Sequence, residues 1–217
     1  MNAGKKFEQS WKESCEKTSF YYHRLPDTMK WKKDDSSRFT LENPYDSLLY
    51  AKPHLFVLEL KSTQKESISF IPYSDSTKPY ENPENKLSGI MIKPHQVKAL
   101  MHESTKDGVI SGFVLNYRVN KSKKNPKPNE VFFVHIDDFL KYANISKMSS
   151  INREICRQIG VKVEGRLKKV NYTYDIEKFV EDINRQMSNS DLSFGQVYNN
   201  DDLSDESDNL NTAYGQL

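Results

Sequence analysis

Apolar positions along the chain change their period several times, and each change marks a new element. Phe7, Trp11 and Cys15 recur at i, i+4 and i+8, one stripe of a helix, with Lys5, Lys6, Glu8, Gln9, Lys12 and Glu13 on the other faces. Phe20 to Leu25 is aromatic and strand-like and stops at Pro26. Residues 27–45 are polar and close on the turn signal Asn43-Pro44. Ser47 to Ala51 reads as a short strand. After Lys52-Pro53, the run Leu55 to Leu60 is apolar except at Glu59 and ends on Lys61, a pattern that suits a central strand covered on both sides. A long loop over 71–88 carries Pro72, Pro79 and Pro83, and Pro94 opens a helix through about Glu103 at a position where its missing N–H costs nothing.

Val109 to Tyr117 and Glu130 to Ile136 follow as two strands. Asp137 and Asp138 are read as caps of a short helix, Phe139 to Ala143. Ser149 or Ser150 caps another, with Ile151, Ile155 and Ile159 at helical spacing and an end at Gly160. Val161 to Tyr174 reads as a hairpin around Glu164-Gly165. The last helix runs from about Asp175 to Met187 with Ile176, Phe179, Val180 and Ile183 on one face. From Ser188 on, Asn, Ser and Asp dominate, and the composition predicts a disordered tail over 188–217. Helices interleaved with strands in this order predict an α/β domain around a central mixed sheet.

Composition narrows the function. No apolar run approaches the roughly 20 residues that cross a bilayer, and the polar start predicts a chain without a secretory leader. The two cysteines, Cys15 and Cys156, are far apart, which excludes a disulfide scaffold and a four-cysteine zinc site and fits the reducing cytoplasm. The five histidines show no metal-ligand spacing. Neither Gly-x-Gly-x-x-Gly nor a P-loop is present among only eight glycines, so no nucleotide cofactor is expected. The net charge of +2 conceals an asymmetry: residues 1–186 hold all 32 Lys and Arg against 24 of the 30 acids, a net of +8, and the tail carries −6. A basic body suits nucleic acid, and equally a solvated basic surface.

The candidate chemistry sits in one strand. Glu59 and Lys61 share a face, and Leu58 and Leu60 share the other. A carboxylate on a covered sheet needs a partner, and a metal ion is one kind of partner. Glu84-Asn85-Lys86 repeats the triplet in a Pro- and Asn-rich loop, so the triplet alone says little; the apolar strand around Glu59 is what singles it out. Asp46 precedes the strand Ser47 to Ala51, and a hairpin of that strand with 55–61 brings it to Glu59 and Lys61. Oxygen ligands of this kind suit Mg²⁺ or Mn²⁺, while an Asx-turn residue is the other reading of Asp46. Glu8 on the first helix is a third acid at the helix edge or simply an exposed helical Glu. Gln96 is a first-turn residue of the helix that Pro94 opens.

The order Gly4-Lys5-Lys6-Phe7-Glu8, Asp46, Glu59-Leu60-Lys61, Ser69-Phe70 and His95-Gln96-Val97-Lys98-Ala99-Leu100 resembles the RecU-type Holliday junction resolvases, including their phage and prophage forms, of the PD-(D/E)xK nuclease superfamily. The resemblance covers roughly residues 4–140, and the block from Ser149 to Met187 is similar to the carboxyl part of the phage-type members. It implies a nuclease domain over 1–187 with a restriction-endonuclease-like α/β/α core, a Mg²⁺- or Mn²⁺-dependent endonuclease of branched DNA such as four-way junctions, and a homodimer. Asp46, Glu59 and the carbonyl of Leu60 would ligate the metal. Lys61 would orient the attacking water and offset charge on the phosphate, Glu8 would hold a second metal or a water, and Gln96 would position the scissile strand. The superfamily's Pro-Asp is here Pro44-Tyr45-Asp46, and the long basic stalk of RecU is reduced to a short segment with Lys30, Trp31, Lys32 and Lys33. Lys121, Lys123, Lys124 and Lys127 form a second basic segment for the phosphate backbone, or an exposed turn. Nucleases of the same fold acting on other DNA, and a non-catalytic DNA-binding recombination protein, are the alternatives.

Overall fold

The computed structural model describes residues 2–26, 43–71, 89–120, 126–146 and 148–189. Its elements in chain order are α1 (Ala3–Cys15), β1 (Tyr21–Arg24), β2 (Ser47–Ala51), β3 (His54–Thr63), β4 (Ser67–Ser69), α2 (Pro94–Ser104), β5 (Val109–Tyr117), β6 (Glu130–His135), α3 (Ile136–Ser146), β7 (Ser150–Asn152), α4 (Arg153–Ile159), β8 (Val161–Val163), β9 (Gly165–Lys168), β10 (Asn171–Tyr174) and α5 (Ile176–Asn189). Six strands form one sheet in the order β1-β2-β3-β5-β6-β8. Only β3 and β5 run parallel, from Leu55↔Val109 to Thr63↔Tyr117, because α2 carries the chain back across the sheet between them. The other neighbours pair antiparallel.

Alternation along the strands divides the core in two. Phe56, Leu58 and Leu60 of β3 join Phe7, Trp11 and Cys15 of α1 and Ile176, Phe179, Val180 and Ile183 of α5 on one face. Val57 of β3 joins Phe113 and Leu115 of β5 with Val97 and Leu100 of α2 and Phe139 of α3 on the other. The result is an α/β/α sandwich about a mixed sheet, the predicted class, with β3 internal to the sheet. Both cysteines are buried free thiols, Cys15 in the first layer and Cys156 in the second. Among the described residues no helix is long and apolar enough to cross a membrane.

Gly112 shows how tightly the centre is packed. A Cβ there would lie 2.4 Å from the Val134 carbonyl oxygen and 2.7 Å from the Phe133 ring. Gly112→Ala is expected to lower stability by about 3 kcal/mol, since neither backbone nor an interior ring gives way cheaply. Urea unfolding tests this, and an unchanged midpoint would show that β5 and β6 can separate at that point.

Four expectations are corrected. The helix after residue 150 is capped by Asn152, whose Oδ1 accepts the Ile155 N–H at 3.0 Å, and not by Ser149 or Ser150. Ile151 belongs instead to β7, opposite Ile68 of β4, a pairing of remote segments that overrides its helical spacing. Val161–Val163 is the edge strand of the main sheet, and the hairpin that follows is β9–β10, with Lys168↔Asn171 as its last pair and Lys169 at φ 51° in the turn. Glu164-Gly165 is therefore the junction between two sheets rather than a hairpin tip. Asp137 and Asp138 lie in the first turn of α3, which already begins at Ile136. The tail over 188–217, apart from Ser188 and Asn189 at the end of α5, lies outside the described residues, as does Glu84-Asn85-Lys86.

Candidate metal centre

Asp46 sits where the β2–β3 ladder ends. Its N–H donates to the Leu58 carbonyl at 3.1 Å, and its side chain, in place of a main-chain acceptor, takes the Leu60 N–H at 2.7 Å. The hairpin thus brings Asp46 to the Glu59–Lys61 segment, as its position before Ser47 predicted. Burial raises its pKa, and the Leu60 N–H and Lys61 counteract that.

Glu59 is 1% exposed, within a sheet covered on both sides. Its Oε1 accepts from Lys61 Nζ at 2.6 Å and from Gln96 Nε2 at 2.5 Å. Gln96 is itself held, because its Oε1 accepts the Lys93 N–H at 3.0 Å at the start of α2. The other carboxylate oxygen, Glu59 Oε2, is buried and has no hydrogen-bond partner among the described residues. Burial, with Asp46 and Glu8 adding like charge, outweighs Lys61 and pushes the Glu59 pKa up to about 8. A buried carboxylate with one oxygen doubly bonded and the other bare is a costly arrangement for a structural residue. It is an apt one for an oxygen awaiting a cation.

Glu8 reaches this end of the sheet from α1. Its Oε2 accepts from Arg24 of β1 at 2.8 Å, and both side chains are partly exposed. Arg24 donates to the Leu25 carbonyl as well, and the Leu25 N–H bonds the Asp46 carbonyl. Arg24 was not legible as a site residue, since only the β1–β2 pairing carries it beside Glu8 and Asp46. Lys61 is 17% exposed at its side chain, and its ammonium bonds Glu59. Among the described residues no group of three His, Cys, Asp or Glu side chains converges as a ligand set. Asp46 is close enough for Glu59 to feel its charge, and the Glu59 Oε2 without a partner is the oxygen whose chemistry would suit a hard divalent cation. Glu8 stands beside them, engaged by Arg24.

The predicted DNA-contacting lysines fare differently. Lys30, Lys32, Lys33, Lys121, Lys123 and Lys124 lie outside the described residues. Lys127 Nζ lies 3.7 Å from both Glu66 and Glu154, so its charge is locally balanced. Of the aromatic residues near the site, Tyr22 packs against the first core layer, while Tyr21 is 62% exposed on the edge strand.

The fold and site together define an α/β/α protein with a carboxylate–lysine centre on β3, where its ladder with β2 stops. No family model matches the chain. The chain is 32% identical over 202 residues to the SPbeta prophage-derived uncharacterized protein YotM of Bacillus subtilis (strain 168), a match that spans 88% of this chain and 91% of that protein. It belongs to the same family as YotM.

Proposed function

We propose that this protein is a divalent-metal-dependent DNA endonuclease that cuts branched DNA, four-way junctions above all, and that it works as a homodimer in phage or bacterial recombination and repair. The observation that carries the reading is the buried Glu59 whose Oε2 has no partner among the described residues while Oε1 is fixed by Lys61 and Gln96, beside Asp46 where the β2–β3 ladder stops. Asp46 and Glu59, with the Leu60 carbonyl, would hold Mg²⁺ or Mn²⁺. A cation held there would supply polarisation of a phosphoryl oxygen and activation of the attacking water.

The side chains divide the remaining work. Lys61, held by Glu59 and partly exposed, orients the water and offsets negative charge that grows on the phosphate. Gln96 fixes the Glu59 rotamer and so the direction of its free oxygen. Arg24 balances Glu8, which keeps a third carboxylate near the centre without a third full negative charge. The resemblance to RecU-type resolvases and the prophage origin of YotM support the junction substrate and the phage setting.

The test sets synthetic four-way junctions and linear duplex side by side with Mg²⁺, Mn²⁺ or EDTA, for wild type and Glu59→Ala. Paired nicks in the junction, absent in EDTA and in the variant, are expected. Equal cutting of linear duplex would keep the chemistry and overturn the substrate. Binding without cutting under either metal would overturn the nuclease.

A further inference from the structure

We infer that the β9–β10 hairpin is a second DNA-contacting element, one that grips the phosphate backbone outside the metal centre; this rests on the nucleic-acid reading of the protein. Every residue of β9 is exposed. The register pairs Arg166 with Thr173 and Lys168 with Asn171, so these four side chains share one face of the hairpin. Gly165, Leu167, Tyr172 and Tyr174 share the other. Arg166 and Lys168 therefore stand side by side, about 7 Å apart along the strand, and Lys169 follows in the turn.

The three cations have no carboxylate partner among the described residues, unlike the paired Lys127, Arg153, Arg157 and Lys178. Two large apolar side chains flank them, Leu167 at 58% and Val170 at 75% exposure. Cations alternating with bare aliphatic groups on a narrow two-stranded ribbon match an anionic, grooved polymer. The cations meet phosphates, and the aliphatic tip meets sugar and base edges in a groove.

The base of the hairpin is rigid. The Tyr174 N–H donates to Ser14 Oγ of α1 at 3.0 Å, and its ring lies edge-on to Phe7 at 5.7 Å. The Asp175 N–H closes the base on the Glu164 carbonyl at 2.9 Å. A Cβ on Gly165 would meet the Tyr174 ring at 2.9 Å, so the glycine lets that ring lie flat against the strand. The same helix α1 presents Glu8 to the metal centre. Glu8 and Ser14 are six residues apart, about 9 Å of helix rise, well within the reach of one bound duplex arm.

The experiment measures binding of the full-length protein to labelled junction and duplex in EDTA across a range of KCl, for wild type, Arg166→Ala/Lys168→Ala/Lys169→Ala and Leu167→Ser/Val170→Ser. The triple variant is expected to bind at least tenfold more weakly at about 0.1 M salt, with the slope of log affinity against log salt reduced by about 2–3. The double variant is expected to weaken binding with the slope unchanged. Melting temperature checks that each variant folds, and all five side chains are exposed. A triple variant with the wild-type slope overturns the hairpin contact, even where wild type binds and cuts and the nuclease stands. Wild type that binds no DNA overturns both. Loss of binding to anionic vesicles, with DNA binding intact, assigns the hairpin to a lipid surface and overturns the inference.

Discussion

Glu59→Gln is expected to abolish the proposed metal-dependent cleavage, by about 10²–10³-fold or more, and at the same time to stabilise the metal-free protein. The amide keeps an oxygen for Lys61 Nζ and Gln96 Nε2, so the local packing survives. What disappears is a buried group that must either take up a proton or carry a charge that burial disfavours. Burial moves the Glu59 pKa from the ordinary 4.5 to about 8. Between those values the folded protein holds a proton that the unfolded chain has released. The stability tied to this group is therefore complete below about pH 4.5 and is lost as pH rises towards and through 8.

Wild type and variant should thus melt alike near pH 4 and separate progressively up to pH 8–9, the variant being higher by several degrees. Saturating Mg²⁺ or Mn²⁺ at pH 8 should raise the wild-type melting temperature and leave the variant where it was. Calorimetry across pH with and without metal decides it. Equal melting at every pH, or an equal metal response from both proteins, would remove Glu59 from the cation site. A buried ionisable group that costs stability is an expected trade between folding and the function proposed for it.

Trp11→Ala should produce the largest loss of stability, about 3–5 kcal/mol, which for a domain of this size is a fall of roughly 10–15 °C in melting temperature. Trp11 is fully buried, and its ring contacts Phe7, Tyr174 and Phe179. It joins α1 to α5 and to the hairpin strand β10. Its indole N–H is buried without a partner among the described residues. Trp11→Phe, which sheds that donor and keeps most of the ring, should cost less than half as much. A drop below about 1 kcal/mol for the alanine variant would mean that α1 does not belong to the cooperative core. Since α1 also carries Glu8, the alanine variant should lose the proposed cleavage more steeply with temperature than wild type.

Much of this architecture can be read from local pattern. The stripes Phe7-Trp11-Cys15 and Ile176-Phe179-Val180-Ile183 are buried helix faces, and Ser47–Ala51 and Val109–Tyr117 are strands within the predicted bounds. These elements follow from hydrophobic period and from Pro and Gly punctuation, which act over a few residues. The meeting of Glu59 with Lys61 belongs to the same class, because strand alternation alone puts them on one face. The approach of Asp46 needed only a short hairpin.

Contacts between remote segments are a different matter. Ile151 has helical spacing in the sequence and becomes a strand because Ile68 lies opposite it. Nothing local places Arg24 against Glu8, or aims the Gln96 amide at Glu59 across 37 residues. Above all, that Glu59 keeps one oxygen bare depends on which donors the packed layers bring within reach. Side-chain periodicity is a property of neighbours along the chain, and it decided the elements and the faces they bury. The partners of each polar atom are settled only when distant elements pack, and the tertiary structure alone decided them.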